Sequence, residues 1–105
     1  MTIKELTQQR QELAFANAQN NQVIGITKIT NISIRNNADS RVYLSDEFAG
    51  LKNAEQRTAA VKDIMTAEGY YLNEARVLEL EREIAENEAR IQAITTEIQY
   101  TGEAN

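Results

Sequence analysis

The stretch YYLNEARVLELEREIAENEARIQAITTEI, residues 70–98, decides the fold because its apolar residues recur alternately every three and four positions. This spacing aligns side chains along one edge of a helix, and that edge must pack against another helix to leave water. The pattern predicts a helix over residues 70–100, about 45 Å long at about 1.5 Å per residue. We call its apolar edge the C-terminal seam, and its members are Tyr70, Asn73, Val77, Leu80, Ile84, Asn87, Ile91, Ile94 and Ile98.

The C-terminal seam has no partner of equal length among the other predicted helices. The first of them, within residues 1–20, covers only about 27 Å, and an uncovered apolar stripe normally marks an interface. We therefore predict a homo-oligomer, a dimer or higher, whose interface residues are Val77, Leu80, Ile84, Asn87, Ile91, Ile94 and Ile98. The alternative is an antiparallel pair of the first and last helices within one chain, with Arg10 and Asn17 facing Asn87.

The N-terminal half is predicted to contain a helix followed by two strands. Thr2 and Glu5 form a capping box that starts a helix over residues 1–20, and an amide-rich run ends it. In residues 23–45, isoleucines alternate with threonine and serine around an Asn-rich turn. This pattern predicts a β-hairpin, because β-branched residues at period two are typical of strands.

The C-terminal half is predicted to be helical. Asn53 caps a short helix over residues 53–68, and the long helix over residues 70–100 follows. The expected fold class is α+β, mostly α: an N-terminal helix, a β-hairpin, a short helix and a long C-terminal helix that forms an oligomeric helical bundle. All of residues 1–105 are expected to form a single domain.

The composition excludes several chemistries. The chain has no Cys and no His, so it offers no zinc site, thiol nucleophile or imidazole base. We expect no catalytic residues, no metal and no cofactor, and hence no enzymatic activity. No stretch has the apolar length of a signal peptide or a membrane span. The chain is therefore expected in the cytoplasm, without a membrane partner.

Charge and aromatic residues indicate a binding surface. The net charge is −5, with eight acids against three bases from Glu74 onward, which disfavours binding to duplex nucleic acid. Cations and tyrosines suited to a phosphorylated small molecule or a protein partner are Arg35, Arg41, Arg57, Tyr70 and Tyr71. The alternative is that the tyrosines pack in the core and the cations solubilise an edge strand.

Residues 51–98 resemble a group of small early proteins encoded by tailed bacteriophages and prophages. The shared features are an Asn-initiated short helix with an early arginine (NAEQR, 53–57), an acid-aromatic break (EGYY, 68–71) and a long Glu/Arg/Leu-rich helix (LNEARVLELEREIAENEARIQ, from 72). The resemblance implies a phage or mobile-element origin, and a location in the cytoplasm of an infected or lysogenic bacterial host.

The leading hypothesis is a non-enzymatic protein that inhibits a host anti-phage defence system by stoichiometric binding. Its target would be a host effector protein or a nucleotide second messenger bound at a subunit junction. The acidic helix favours a protein target, since it can dock on a basic surface. The alternatives are an oligomeric scaffold or accessory in phage DNA recombination, and a structural phage subunit.

Overall fold

The computed structural model describes residues 1–104, with side chains through Gly102. Its elements are α1 (Ile3–Leu44), a 3-10 turn (Asp46–Phe48), α2 (Ala54–Ala67) and α3 (Tyr70–Ala104). The chain divides into two compact units. The first unit contains residues 1–24 and the described chain from Leu78 on, and the second unit is Gly25–Val77. No helix in the described chain is both long and apolar enough to cross a membrane.

The predicted β-hairpin over residues 23–45, and with it the α+β class, is wrong. Residues 23–44 of this stretch belong to α1, Ser45 caps the following 3-10 turn, and residues 1–104 contain no strand. The alternating isoleucines misled the prediction, because residues two apart lie on one face of a strand but on opposite faces of a helix. Ile24 is accordingly only 8% exposed, whereas Ile26 is 59% exposed.

A heptad seam half made of polar residues explains why α1 continues through the predicted break. Positions spaced alternately by four and three are all buried or half-buried: Leu6, Arg10, Leu13, Asn17, Asn20, Ile24, Thr27, Asn31, Ile34, Ala38 and Arg41. The amide-rich run predicted to end the first helix at residue 20 therefore supplies seam residues. The seam follows the helical period although half of its members are polar.

In the first unit, α1 and α3 pair in antiparallel orientation. Arg10 Nη1 donates to Thr95 Oγ1 at 3.2 Å, and further along α1 the side chain of Asn17 meets Asn87. Asn87 Nδ2 donates to Asn17 Oδ1 at 2.9 Å, while Asn17 Nδ2 donates to the carbonyl of Ile84 at 3.3 Å. This arrangement is the intrachain alternative raised by the sequence.

The C-terminal seam is therefore covered by the chain itself. Val77, Leu80 and Ile94 are at most 7% exposed, and the other predicted interface residues, Ile84, Asn87, Ile91 and Ile98, are half-buried. The premise that α3 lacks a partner of similar length is wrong, because α1 has 42 residues and α3 has 35. The seam was predicted to be an oligomer interface because it lacked an intrachain partner, and its burial within the chain removes that reason.

In the second unit, α1, α2 and α3 enclose a small core. Its buried members are Ala38, Val42, Ile64 and Met65, against which pack Ile34, Phe48, Ala60, Val61 and Tyr70. A second asparagine pair joins α1 to α3: Asn73 Nδ2 donates to Asn31 Oδ1 at 2.9 Å, and Asn31 Nδ2 donates to the Tyr70 carbonyl at 3.1 Å. Burial and these hydrogen bonds together position the start of α3.

Local capping sets the ends of α2. Asn53 Oδ1 accepts a hydrogen bond from the backbone N–H of Gln56 at 2.8 Å, and Gln56 Oε1 accepts one from the N–H of Lys52 at 3.1 Å. At the other end, Gly69 has φ +86°, a left-handed conformation that ends the helix and lets α3 begin at Tyr70.

We expect Gly69→Ala to lower the free energy of unfolding by about 1–2 kcal/mol, because a Cβ is strained at this positive φ. The effect should come from the backbone alone, since an added Cβ would meet no atom within 4 Å. Gly25→Ala is the control: this glycine lies inside α1 with equally open space. That change should raise stability by about 0.5–1 kcal/mol. If the two substitutions changed the free energy of urea unfolding equally, the left-handed conformation of Gly69 would be contradicted.

Candidate functional site

An open cleft of about 470 Å³ lies in the second unit, where all three helices meet. Side chains from α1 and α2 form two of its walls and the first turns of α3 form the third. We call it the tyrosine cleft, and its lining residues are Arg35, Asp39, Tyr43, Thr58, Val61, Lys62, Met65, Tyr70, Tyr71 and Glu74. Its floor includes Met65, which is buried in the core.

Helix periodicity places these side chains on shared faces. Arg35, Asp39 and Tyr43 are spaced by four along α1, so they project from one side of that helix. Thr58 and Lys62 have the same spacing on α2. The cleft therefore follows from how three regular helix faces pack together.

The tyrosine cleft contains equal numbers of positive and negative side chains, and these side chains are unpaired. Two cations, Arg35 and Lys62, stand against two anions, Asp39 and Glu74. Among the side chains described, residues 1–102, none of the four makes a side-chain hydrogen bond or an ion pair. Because no internal partner neutralises them, both signs of charge are available to a ligand.

The aromatic side chains give the cleft a firm apolar wall. The rings of Tyr70 and Tyr71 pack edge to face, with centroids 5.2 Å apart and planes at 78°. Tyr70 packs on the core, whereas Tyr71 is 43% exposed and Tyr43 is 54% exposed. The guanidinium of Arg57 lies 5.9 Å from the centroid of the Tyr43 ring, within the range of a cation–π contact.

Arg41, another predicted ligand-binding residue, is already engaged. It donates two hydrogen bonds to the Glu47 carboxylate, from Nη2 at 2.6 Å and from Nε at 3.2 Å, and lies 6.0 Å from the centroid of the Phe48 ring. The hydrogen bond from Arg41 lowers the pKa of Glu47 and raises the pKa of Arg41. Since the Glu47 pKa is lowered by folding, the pair stabilises the chain above the usual carboxyl range. That contribution is lost as the pH falls through the folded-state pKa.

The five predicted ligand-binding residues thus separate into two groups. Arg35, Tyr70 and Tyr71 line the tyrosine cleft, whereas Arg41 and Arg57 do not. Arg57 contacts Tyr43 and donates to the carbonyl of Leu51 at 3.4 Å. The five predicted residues did not include the other members of the lining, although the sequence had placed Lys62 beside Arg57 on the short helix; these members are Asp39, Tyr43, Thr58, Val61, Lys62, Met65 and Glu74. The four-residue spacing from Arg35 would have indicated two of these positions, Asp39 and Tyr43, had the segment been recognised as helix.

The carboxylates do not gather into a metal or catalytic cluster. No group of three or more potential ligands (Asp, Glu, His or Cys) that could hold a metal ion occurs in the described part of the chain. The acidic row of α3 is exposed, as expected for a solvated helix face; it comprises Glu79, Glu81, Glu83, Glu86 and Glu88. The tyrosine cleft therefore offers recognition groups of both charges next to aromatic rings.

Comparisons with known protein families, curated proteins and solved structures find no match to this chain.

Proposed function

We propose that this chain is a non-enzymatic protein that acts by stoichiometric binding, and that the tyrosine cleft receives a segment of a partner protein. The observation that carries the proposal is the set of four unpaired charges of both signs around three tyrosines. Tyrosine, methionine and arginine are enriched in protein–protein interfaces, where rigid aromatic side chains supply much of the binding energy.

A peptide suits the balanced charges better than a nucleotide does. A phosphate group near Arg35 or Lys62 would also approach Asp39 or Glu74, and like charges repel. Arg41 and Arg57, the other cations predicted to bind a ligand, do not line the cleft, and Arg41 is already paired with Glu47. A peptide with acidic, basic and apolar side chains can satisfy both pairs of charges and cover the rings.

The biological setting we propose is inhibition of a host anti-phage defence system, with an effector protein as the target. This part of the proposal rests on the resemblance of residues 51–98 to small phage early proteins. The alternative function is an oligomeric scaffold or accessory in phage DNA recombination, or a structural phage subunit. The observation that favours this alternative is a row of exposed isoleucines on α1: Ile26, Ile29 and Ile32.

Selection of peptides from a random library tests the cleft. Peptides captured by the wild-type chain are then titrated by calorimetry into wild type, Tyr71→Ala and Lys62→Glu. We expect either change to weaken binding at least about tenfold, because losing an aromatic or charged hot spot typically costs about 2 kcal/mol. Tyr100→Ala is the matched control, since Tyr100 is a 76% exposed tyrosine that does not line the cleft.

Two results would overturn the peptide proposal. One is peptide binding that Tyr71→Ala and Lys62→Glu leave unchanged. The other is heat released on titration with cyclic mono- or dinucleotides and abolished by Arg35→Ala, which would support a nucleotide ligand. If a nucleotide and the selected peptides bind the same site, the nucleotide should compete with the peptides. Absence of competition would show that the two ligands bind separate sites.

A further inference from the structure

A second cavity, of about 400 Å³, adjoins the tyrosine cleft, and Tyr43 lines both of them. It lies between the C-terminal end of α1, the 3-10 turn and the first turn of α2. We call it the arginine cavity, and its lining includes Val42, Tyr43, Ser45, Phe48, Leu51 and Arg57. Because Tyr43 borders both cavities and is exposed, a bound segment that covers its ring can reach both.

The arginine cavity differs from the tyrosine cleft in charge. Arg57 is the one charged residue among the described side chains that line it, whereas the cleft has two cations and two anions. The acids within two residues of this lining in sequence are Asp46, Glu47 and Glu55, and none of them is part of it. Glu47 is moreover paired with Arg41. The cavity therefore presents a positive charge that no lining anion balances.

Most hydrogen-bond donors of Arg57 are available to a ligand. A guanidinium carries five N–H donors, and one of them, on Nη1, donates to the carbonyl of Leu51 at 3.4 Å. Arg57 is half-buried and forms no ion pair within residues 1–102. The hydroxyl of Ser45 is already hydrogen-bonded to the backbone as both donor and acceptor. Arg57 is therefore the main group in this cavity that can recognise an anion.

The size of that charge and the apolar walls favour a carboxylate. Val42 is buried, and Phe48 and Leu51 are half-buried, so they can cover the methylene groups of an acidic side chain. One guanidinium matches one carboxylate, with which it can form two parallel hydrogen bonds. A phosphate carries a charge of about −1.5 to −2, and proteins usually bind it with clusters of arginines.

We propose that the arginine cavity receives an acidic side chain, Glu or Asp, of the same partner segment that occupies the tyrosine cleft, and that Arg57 binds its carboxylate. The inference rests on the proposed function, because it extends the peptide site across Tyr43. Arg57 thereby selects partner segments that carry an acid at one end. The sequence predicted Arg57 as a ligand-binding residue, and this proposal gives it that role outside the tyrosine cleft.

Paired substitutions in the chain and in the peptide test this role of Arg57. Peptides selected by the wild-type chain are synthesised with an amidated C-terminus, and each acidic residue is replaced in turn by glutamine. We expect one such replacement, and also Arg57→Met, to weaken binding at least about tenfold. The two changes together should cost no more than either alone, because both remove the same contact.

Two controls separate the contact from a change in folding. The glutamine peptide should bind Arg57→Met as tightly as it binds wild type, which a misfolded variant would not allow. Lys52→Met is the matched control: Lys52 is an exposed cation close to Arg57 in sequence that lines neither cavity, and its loss should leave binding unchanged. A peptide with lysine at the acidic position should bind Arg57→Glu more tightly than the acidic peptide does.

The results that overturn the arginine cavity differ from those that overturn the tyrosine cleft. If Tyr71→Ala weakens the selected peptides but Arg57→Met does not, the cleft stands and the role of Arg57 is wrong. That role is also wrong if Arg57→Met weakens the glutamine peptide as much as the acidic one, or if binding requires a free C-terminal carboxylate. Peptides insensitive to both Tyr71→Ala and Lys62→Glu, or a library that yields no binder, would overturn both proposals together.

Discussion

Ile64→Ala is expected to lower the free energy of unfolding by about 2–5 kcal/mol, the usual cost of removing a large buried aliphatic side chain. Ile64 is 8% exposed and packs with Ala38, Val42 and Met65 in the core of the second unit. The truncation removes apolar contacts and leaves a cavity that three regular helices cannot easily close. Urea unfolding followed by circular dichroism measures the loss.

Leu72→Ala is the matched control for the core substitution. Leu72 is 78% exposed, so its truncation should change stability by no more than about 0.5 kcal/mol. If Ile64→Ala cost no more than this surface change, the packing of α2 against α1 would be contradicted. If the core of the second unit is disrupted, the tyrosine cleft should be lost with it, because Met65 belongs to both.

The asparagine pair of the second unit should show strong coupling. Asn31→Leu alone is expected to destabilise the chain by about 1–3 kcal/mol, because Asn73 Nδ2 and the Tyr70 carbonyl lose a hydrogen-bond partner in a partly buried position. Adding Asn73→Leu removes the unpaired Asn73 amide and forms an apolar pair, so the double variant should recover part of the lost stability. The coupling energy should be about 1–3 kcal/mol in a double-mutant cycle.

Additive effects of the two substitutions would contradict direct contact between Asn31 and Asn73. The control cycle pairs Asn31→Leu with Asn36→Leu, an exposed asparagine on the same helix, and should show no coupling. Polar residues in a helix seam cost stability and select one register. Each unit has one such pair, Asn17 with Asn87 and Asn31 with Asn73, and we expect these pairs to keep α1 and α3 in register.

Local patterns in the sequence were sufficient for α2 and α3. The period of the C-terminal seam, the amide of Asn53 and the positive-φ residue Gly69 each act within a few residues of the chain. Helix periodicity also accounts for which α3 side chains are shielded from water. Such signals require no knowledge of the rest of the fold.

The intrinsic preferences of its residues for helix or strand did not predict that α1 is helical throughout. Ile24, Ile26, Ile32 and Ile34 favour strands, but the helix cost of a β-branched residue is only a few tenths of a kcal/mol. Burial of one face against α3 outweighs that cost. Asn17, the first residue of the amide-rich run that suggested a break, is instead hydrogen-bonded to Asn87, 70 residues away in the sequence.

By itself, the sequence determined the heptad period of α3, the ends of α2 and the absence of thiol and imidazole chemistry, because each depends on residue type and short spacing. Only the tertiary structure decided that α1 is one helix, that the C-terminal seam is covered within the chain, and that Arg35, Lys62 and Tyr71 surround one cleft. These features depend on pairing between residues far apart in the chain. The free energy of that pairing comes from burial and long-range hydrogen bonds, which no local window of sequence contains.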